Sequence, residues 1–298
     1  MLFTWVPPLG HHIIRQSVKS WICLLVAIAI VIALPFILQP LLSGIVTDEE
    51  LDLWIPAHFG FIITCFTALF VLYEILVYLH YRKVWIGGEE GEAPIIKRLA
   101  SRALLRHTPR TLFYPRAKTN VAAMPSLFSG HFISFYGESF KILNERETEV
   151  VIAHEVAHLK HMDRVSALVL VTTGIIFSVY FSALIVACVA SIILQADPAQ
   201  GEILLKASWV VLALQIVHSY IKCAHSRTRE YLADAGSIAL AGLDFKVDLI
   251  SALKKLEEHH WGRGPNRLAF LWPEFLRTHP RISNRAKALG LDASKIVI

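Results

Sequence analysis

His154, Glu155 and His158 stand in the order H-E-V-A-H. On a helix, residues four apart lie on one face a turn apart, so both imidazoles can reach a single metal ion. The donor types suit zinc, which binds histidine nitrogen at roughly 2.0–2.1 Å. Glu155 is next along the helix, beside such an ion, where a carboxylate can take a proton from a bound water. Zinc brings the pKa of that water to about 7, so a nucleophile is available at neutral pH. A capped surface helix with incidental histidines is the bland alternative. With 14 His and 16 Glu in 298 residues, chance gives roughly 0.03 such matches, which counts against it. His161 shares the face three residues beyond His158, and a surface position near lipid headgroups is expected for it.

A catalytic zinc site needs a third protein ligand and keeps a position for water. The stretch SRTREYLADAGSIAL, 226–240, places Glu230 and Asp234 four apart on one helical face. One can ligate the metal while the other accepts a ring N–H from a histidine ligand and fixes its tautomer. Read alone, such a pair is more often a solvated helix face.

The segments that must position these groups are apolar. The chain is 55% hydrophobic and 18% charged, against about a quarter charged in ordinary soluble domains. Residues 21–42, 53–73 and 165–196 carry no formal charge, and 203–221 carries only Lys206. A helix needs about 20 apolar residues to cross the hydrocarbon core, so four spans are expected. The first is read as a retained anchor, because its apolar run exceeds a signal peptide's h-region and no small-x-small site follows. The connection 43–52 holds Asp48, Glu49, Glu50 and Asp52 and no Lys or Arg, and 197–202 has no basic residue. By contrast, 81–118 holds Arg82, Lys83, Lys97, Arg98, Arg102, Arg106, Arg110, Arg116 and Lys118. Arg15, Lys19, Lys222, Arg227 and Arg229 fall on the same side, which the positive-inside rule makes cytoplasmic. The net charge of +5 is then a surface facing anionic lipid, with no nucleic acid required. Cys23, Cys65, Cys188 and Cys223 lie in or beside spans without C-x-x-C spacing, which points to packing rather than a disulfide framework.

Outside the spans, 131–136 (HFISFY) reads as a strand ended by Gly137, and 119–124 as a second stopped by Pro125. Asn144 with Glu147 is a capping-box pattern that starts the histidine-bearing helix. Residues 228–240 and 245–260 read as helices, and a last helix begins near Ser283; 87–91 reads as a linker. His158 lies seven residues before the third span and Glu230 nine after the fourth. At 1.5 Å per residue both stand on the order of 10–14 Å beyond the membrane, so antiparallel neighbouring spans would deliver both ligands to one height.

HEVAH, then REYLADAG, with paired spans between them, resembles the HtpX-like integral-membrane zinc metallopeptidases, relatives of the CAAX prenyl proteases. The resemblance implies zinc ligands at His154, His158 and Glu230, a general base at Glu155, Asp234 behind the ligands, and one Zn2+ per chain. Residues 119–123 (TNVAA) resemble the family's N-A-x-A edge strand, implying substrate pairing at Asn120, Val121 and Ala122. THPRISNRAKAL, 278–289, resembles its H-P-P-x-x-x-R-I segment, implying an oxyanion donor at His279 and a structural or substrate-contact role for Arg285. Val121 stands where the family has alanine, and Arg281 where it has a second proline.

The expected protein is a mostly α membrane protein. Four transmembrane helices carry one cytoplasmic α+β zincin-like metallopeptidase domain with a small β-sheet. The N-terminal segment and first two spans occupy 1–81, the first part of the domain 82–164, the second pair of spans 165–221 and the second part 222–298. Its expected function is zinc endopeptidase action on polypeptides at the cytoplasmic face of the inner membrane, in quality control of misfolded membrane proteins, with the lipid bilayer as its other partner. A signal-transducing relative of the antibiotic-sensor type would carry an external sensor domain, whereas these external connections are about ten and six residues. A catalytically latent zinc scaffold would have no use for Glu155.

Overall fold

The computed structural model describes residues 7–85, 94–114, 119–126, 130–261 and 273–292. The expected linker 87–91, the basic residues Arg116 and Lys118, and the Gly-, Pro- and Trp-rich stretch 262–272 lie outside them. The chain divides into two compact units. One is built from Trp21–Leu72 and Ser166–Ala224, the other from Met1–Ser20, Tyr73–Val165 and His225–Ile298.

The apolar unit takes its elements from four long helices: α1 (Pro7–Leu42), α2 (Asp48–Trp85), α6 (Asp163–Ile193) and α7 (Pro198–Ala241). Each contains a stretch long and apolar enough to cross a membrane: Ile14–Leu42, Leu53–Leu79, Asp163–Ile193 and one within Pro198–Ala241. Leu34, Leu38, Ile176, Phe177, Ala207 and Val211 are buried together in one core. Some polar side chains in this unit find partners across helices and others bond a carbonyl one turn back, as Thr172 does to Leu168, so that they are satisfied in apolar surroundings. His58 on α2 bonds the Tyr180 hydroxyl at 2.5 Å through Nδ1 and donates from Nε2 to the Val31 carbonyl at 3.0 Å. Thr173 bonds His218 at 2.7 Å. The 44 residues of α7 form one helix, which joins the expected fourth span 203–221 and the expected helix 228–240 without interruption. The reason is local: no Gly or Pro occurs between Gly201 and Gly236.

The second unit surrounds α5 (Glu145–Lys160). Its start follows the capping box: Glu147 N donates to Asn144 Oδ1 at 2.8 Å, and Asn144 N donates to Glu147 Oε2 at 2.9 Å. Beside it lies a three-stranded sheet, β1 (Arg110–Tyr114), β2 (Asn120–Met124) and β3 (Phe132–Tyr136), in the order β1-β3-β2. β3 is parallel to β1 and antiparallel to β2, with Ala122 opposite Ser134. Val151, Ile152, Val156 and Leu159 of α5 share a buried core with Val121, Ile133 and Phe135 of the sheet. Val150 joins a second cluster with residues of α7, α8 (Lys246–Trp261) and α9 (Ile282–Ala288). Short helices α3 (Pro94–Arg102) and α4 (Ser139–Ile142) and two 3-10 turns, Leu243–Phe245 and Glu274–Leu276, also belong to this unit.

Candidate metal centre

Two helices supply the site. α5 presents His154 and His158 from successive turns, and α7 presents Glu230. The two Nε2 atoms lie 3.0 Å apart. Glu230 Oε2 is 3.6 Å from His154 Nε2, and Oε1 is 3.9 Å from His158 Nε2. One donor atom from each residue falls within a 4.8 Å cluster. This approach depends on Gly236, where an added Cβ would meet the Ala157 Cβ at 2.8 Å. A glycine facing an alanine lets α7 come in close enough for Glu230 to reach the α5 histidines.

The outer ring nitrogens are held by carboxylates. His158 Nδ1 bonds Asp163 Oδ2 at 2.6 Å. His154 Nδ1 lies 3.2 Å from Asp234 Oδ1, within ion-pair reach but without hydrogen-bond alignment. Protons placed on Nδ1 leave both Nε2 lone pairs pointing into the same small space as the Glu230 carboxylate. Three acceptors meeting this closely repel one another unless a cation joins them. Tetrahedral zinc ligands at 2.0–2.1 Å stand roughly 3.3 Å apart, close to the observed nitrogen spacing. The donor set therefore fits zinc.

Burial presses both histidines toward neutrality, and their neighbours then split them. The Asp234 and Glu230 carboxylates outweigh burial at His154 and raise it above the ordinary histidine value. At His158, burial and the adjacent His154 act together and lower it. The pair is thus arranged to carry one proton rather than two.

Arg285 on α9 is 6% exposed. It donates to Asp234 through Nε at 2.8 Å and Nη2 at 2.5 Å, and its Nη1 lies 3.2 Å from Glu230 Oε2. These carboxylates outweigh burial and hold the guanidinium firmly charged. His279 is 69% exposed, with Nδ1 3.0 Å from Glu230 Oε1. That contact raises its pKa and favours the imidazolium form. The segment carrying His279 is fastened to α7 by Arg227, which donates to the Phe275 and Arg277 carbonyls at 2.9 and 2.8 Å.

Glu155 is 7% exposed. Its Oε2 accepts from the Ala123 N–H at 2.6 Å, while Arg164 Nε donates to the Ala123 carbonyl at 3.4 Å. Ala123 therefore turns its main chain away from β3. Because main-chain direction alternates along a strand, Val121 faces the same outer edge, whereas Asn120 and Ala122 turn toward β3. Asn120, Val121 and Ala122, expected to pair with substrate, all lie on β2, and the contacts of Ala123 put Val121 and Ala123 at its outer edge.

Sequence reasoning missed Asp163 and Arg229. Arg229 pairs with Asp163 and donates to the His161 carbonyl at 2.8 Å. The available signal was an acid five residues after the second histidine, at the point where the next helix starts. His161, expected at the surface, is half-buried at the C-cap of α5, and burial lowers its pKa to about 4.

Residues 93–291 match the model of Peptidase family M48. The chain belongs to that family. Protease HtpX of Alkalilimnicola ehrlichii is 27% identical over 190 residues, covering 61% of this M48 chain and 63% of that protein. Protease HtpX of Hydrogenovibrio crunogenus is 26% identical over 213 residues, covering 68% and 70%. A Protease HtpX homolog of Thermococcus kodakarensis is 31% identical over 175 residues, covering 57% and 59%. The chain thus spans just under two thirds of the length of the first of these relatives. Among solved structures, Ste24p of S. mikatae aligns over 93% of this chain and 65% of its own, at 16% identity and a TM-score of 0.46.

Proposed function

We propose that this M48 chain is a membrane-embedded zinc endopeptidase whose site faces the cytoplasm. The observation carrying the reading is the convergence of His154, His158 and Glu230 on one point, with the Glu155 carboxylate buried beside them on the same helix. Zinc held by these three residues would acidify a water and polarise the peptide carbonyl. Glu155 takes a proton from the attacking water and later delivers it to the leaving amine. The Ala123 N–H fixes one oxygen of Glu155 and leaves the other for the water. Substrate pairs in extended form with Val121 and with the Ala123 carbonyl on the outer edge of β2, displacing the weak Arg164 contact to that carbonyl at 3.4 Å. His279 keeps one N–H on Glu230 and offers the other to the oxyanion as the carbonyl becomes tetrahedral. Asp234 and Arg285 hold His154 and Glu230 in place.

The catalytic unit is assembled from 82–164 and 222–298, with both termini cytoplasmic. The basic residues concentrated in those segments support this orientation. A protease in such a setting suits misfolded membrane proteins of the inner membrane as substrates. The test uses the full chain in detergent and an unstructured polypeptide. Cleavage is expected to stop on chelation and return with one equivalent of Zn2+. Cleavage that survives complete zinc removal would contradict the reading.

A further inference from the structure

We propose that Asp163 and Arg229 are positioning residues for His158, and that they fix its distance from Glu230. The inference rests on the metal reading above and extends it to residues that do not touch the ion. α5 ends at Lys160, and Met162 adopts a left-handed backbone with φ of 52° before α6 begins at Asp163. This reversal brings the Asp163 carboxylate back to His158 Nδ1, at 2.6 Å. Five residues of uninterrupted helix would not make that contact. Its other oxygen meets Arg229, whose guanidinium also donates to the His161 carbonyl at 2.8 Å. Arg229 immediately precedes Glu230 on α7. One side chain therefore fastens the end of the helix bearing His158 to the backbone position next to the third ligand.

The two histidines have parallel surroundings. His154 faces Asp234, which is paired with Arg285, and His158 faces Asp163, which is paired with Arg229. In both cases an arginine offsets the cost of placing a largely buried carboxylate behind a ring. The carboxylate fixes the ring's tautomer and direction. An aspartate serving α5 only as a helix-end contact would need neither the imidazole nor the second arginine.

The experiment measures Zn2+ affinity by competition with a chromophoric chelator, using the full chain in detergent. The variants are Asp163→Asn, Arg229→Gln and the double substitution, with the melting temperature of each metal-free form as a folding control. Asp163→Asn is expected to weaken zinc binding by about 10–100-fold, and Arg229→Gln by less. The double variant is expected to lose less than the sum of the two single losses, because part of the effect of Arg229 runs through Asp163. Replacing zinc with Co2+ should show an altered visible spectrum in Asp163→Asn. Wild-type affinity in Asp163→Asn, or losses that simply add in the double variant, would overturn the proposal. If Asp163→Asn fails its folding control, Arg229→Gln decides alone: weakened zinc binding supports the proposal and unchanged binding overturns it. A wild-type chain that binds no stoichiometric zinc would instead overturn the underlying metal reading, which keeps the two failures apart.

Discussion

His154 and His158 occupy one small space under opposite influences, one raised by carboxylates and the other lowered by burial and its neighbour. These opposite shifts predict that the metal-free pair holds one proton at neutral pH, which zinc would displace. Calorimetry in buffers of different ionisation enthalpy is expected to show release of about one proton per zinc. Apparent affinity should rise about tenfold per pH unit, since one proton exchanged per site corresponds to 1.36 kcal/mol per unit. The rise should continue above the ordinary histidine value of about 6.5, because His154 is the ring still protonated there. A plateau at that value would contradict the raised state of His154. Arg285 yields a stability prediction at the same scale. Replacing it with methionine leaves Glu230 and Asp234 buried without their guanidinium, at an expected cost of about 3–5 kcal/mol. The fall in melting temperature of the metal-free chain measures it, and added zinc should recover part of the loss. The histidines and Glu155 were legible in the sequence because their spacing is short and helical. Asp163 was not, because its contact depends on the left-handed turn at Met162, which spacing does not reveal.

At the scale of elements, the site depends on how closely α7 approaches α5 and on how β2 meets Glu155. Gly236→Ala puts a methyl into the Ala157 side chain and should cost about 1–3 kcal/mol by overpacking, with weaker zinc binding as the helices part. Adding Ala157→Gly restores the room, so the double variant should recover zinc affinity. Ala123→Pro removes the N–H that holds Glu155. Proline is tolerated where a strand's N–H faces away from its neighbour. The variant should therefore keep its zinc while losing turnover, and a wild-type kcat would count against this role for the Ala123 N–H. The strands β2 and β3 were readable from β-branched and aromatic runs ended by proline and glycine. β1 was missed because its five residues pair in parallel with β3 across a long stretch of chain, and nothing near it in sequence marks the partner. The outer register of β2 likewise became visible only when the contacts of Ala123 were known.

Across the whole molecule, the four apolar helices and the M48 match to 93–291 were both anticipated by composition and by the order of the motifs. The ends of the helices were less legible, since an uninterrupted helix carries no sequence mark where an apolar stretch gives way to a polar one. α7 illustrates this by running past the expected end of the fourth span. The proposed orientation predicts that a reporter active only in the cytoplasm will work when fused after Ile298 and fail when inserted at Ser43. The most direct test of the central claim compares wild type with Glu155→Gln, each loaded with one equivalent of Zn2+, on an unstructured polypeptide. The variant should bind zinc as wild type does and cleave about 10²–10⁴-fold more slowly. Cleavage at the wild-type rate by zinc-loaded Glu155→Gln would contradict the assignment of Glu155 as the base, and with it the proposed hydrolysis.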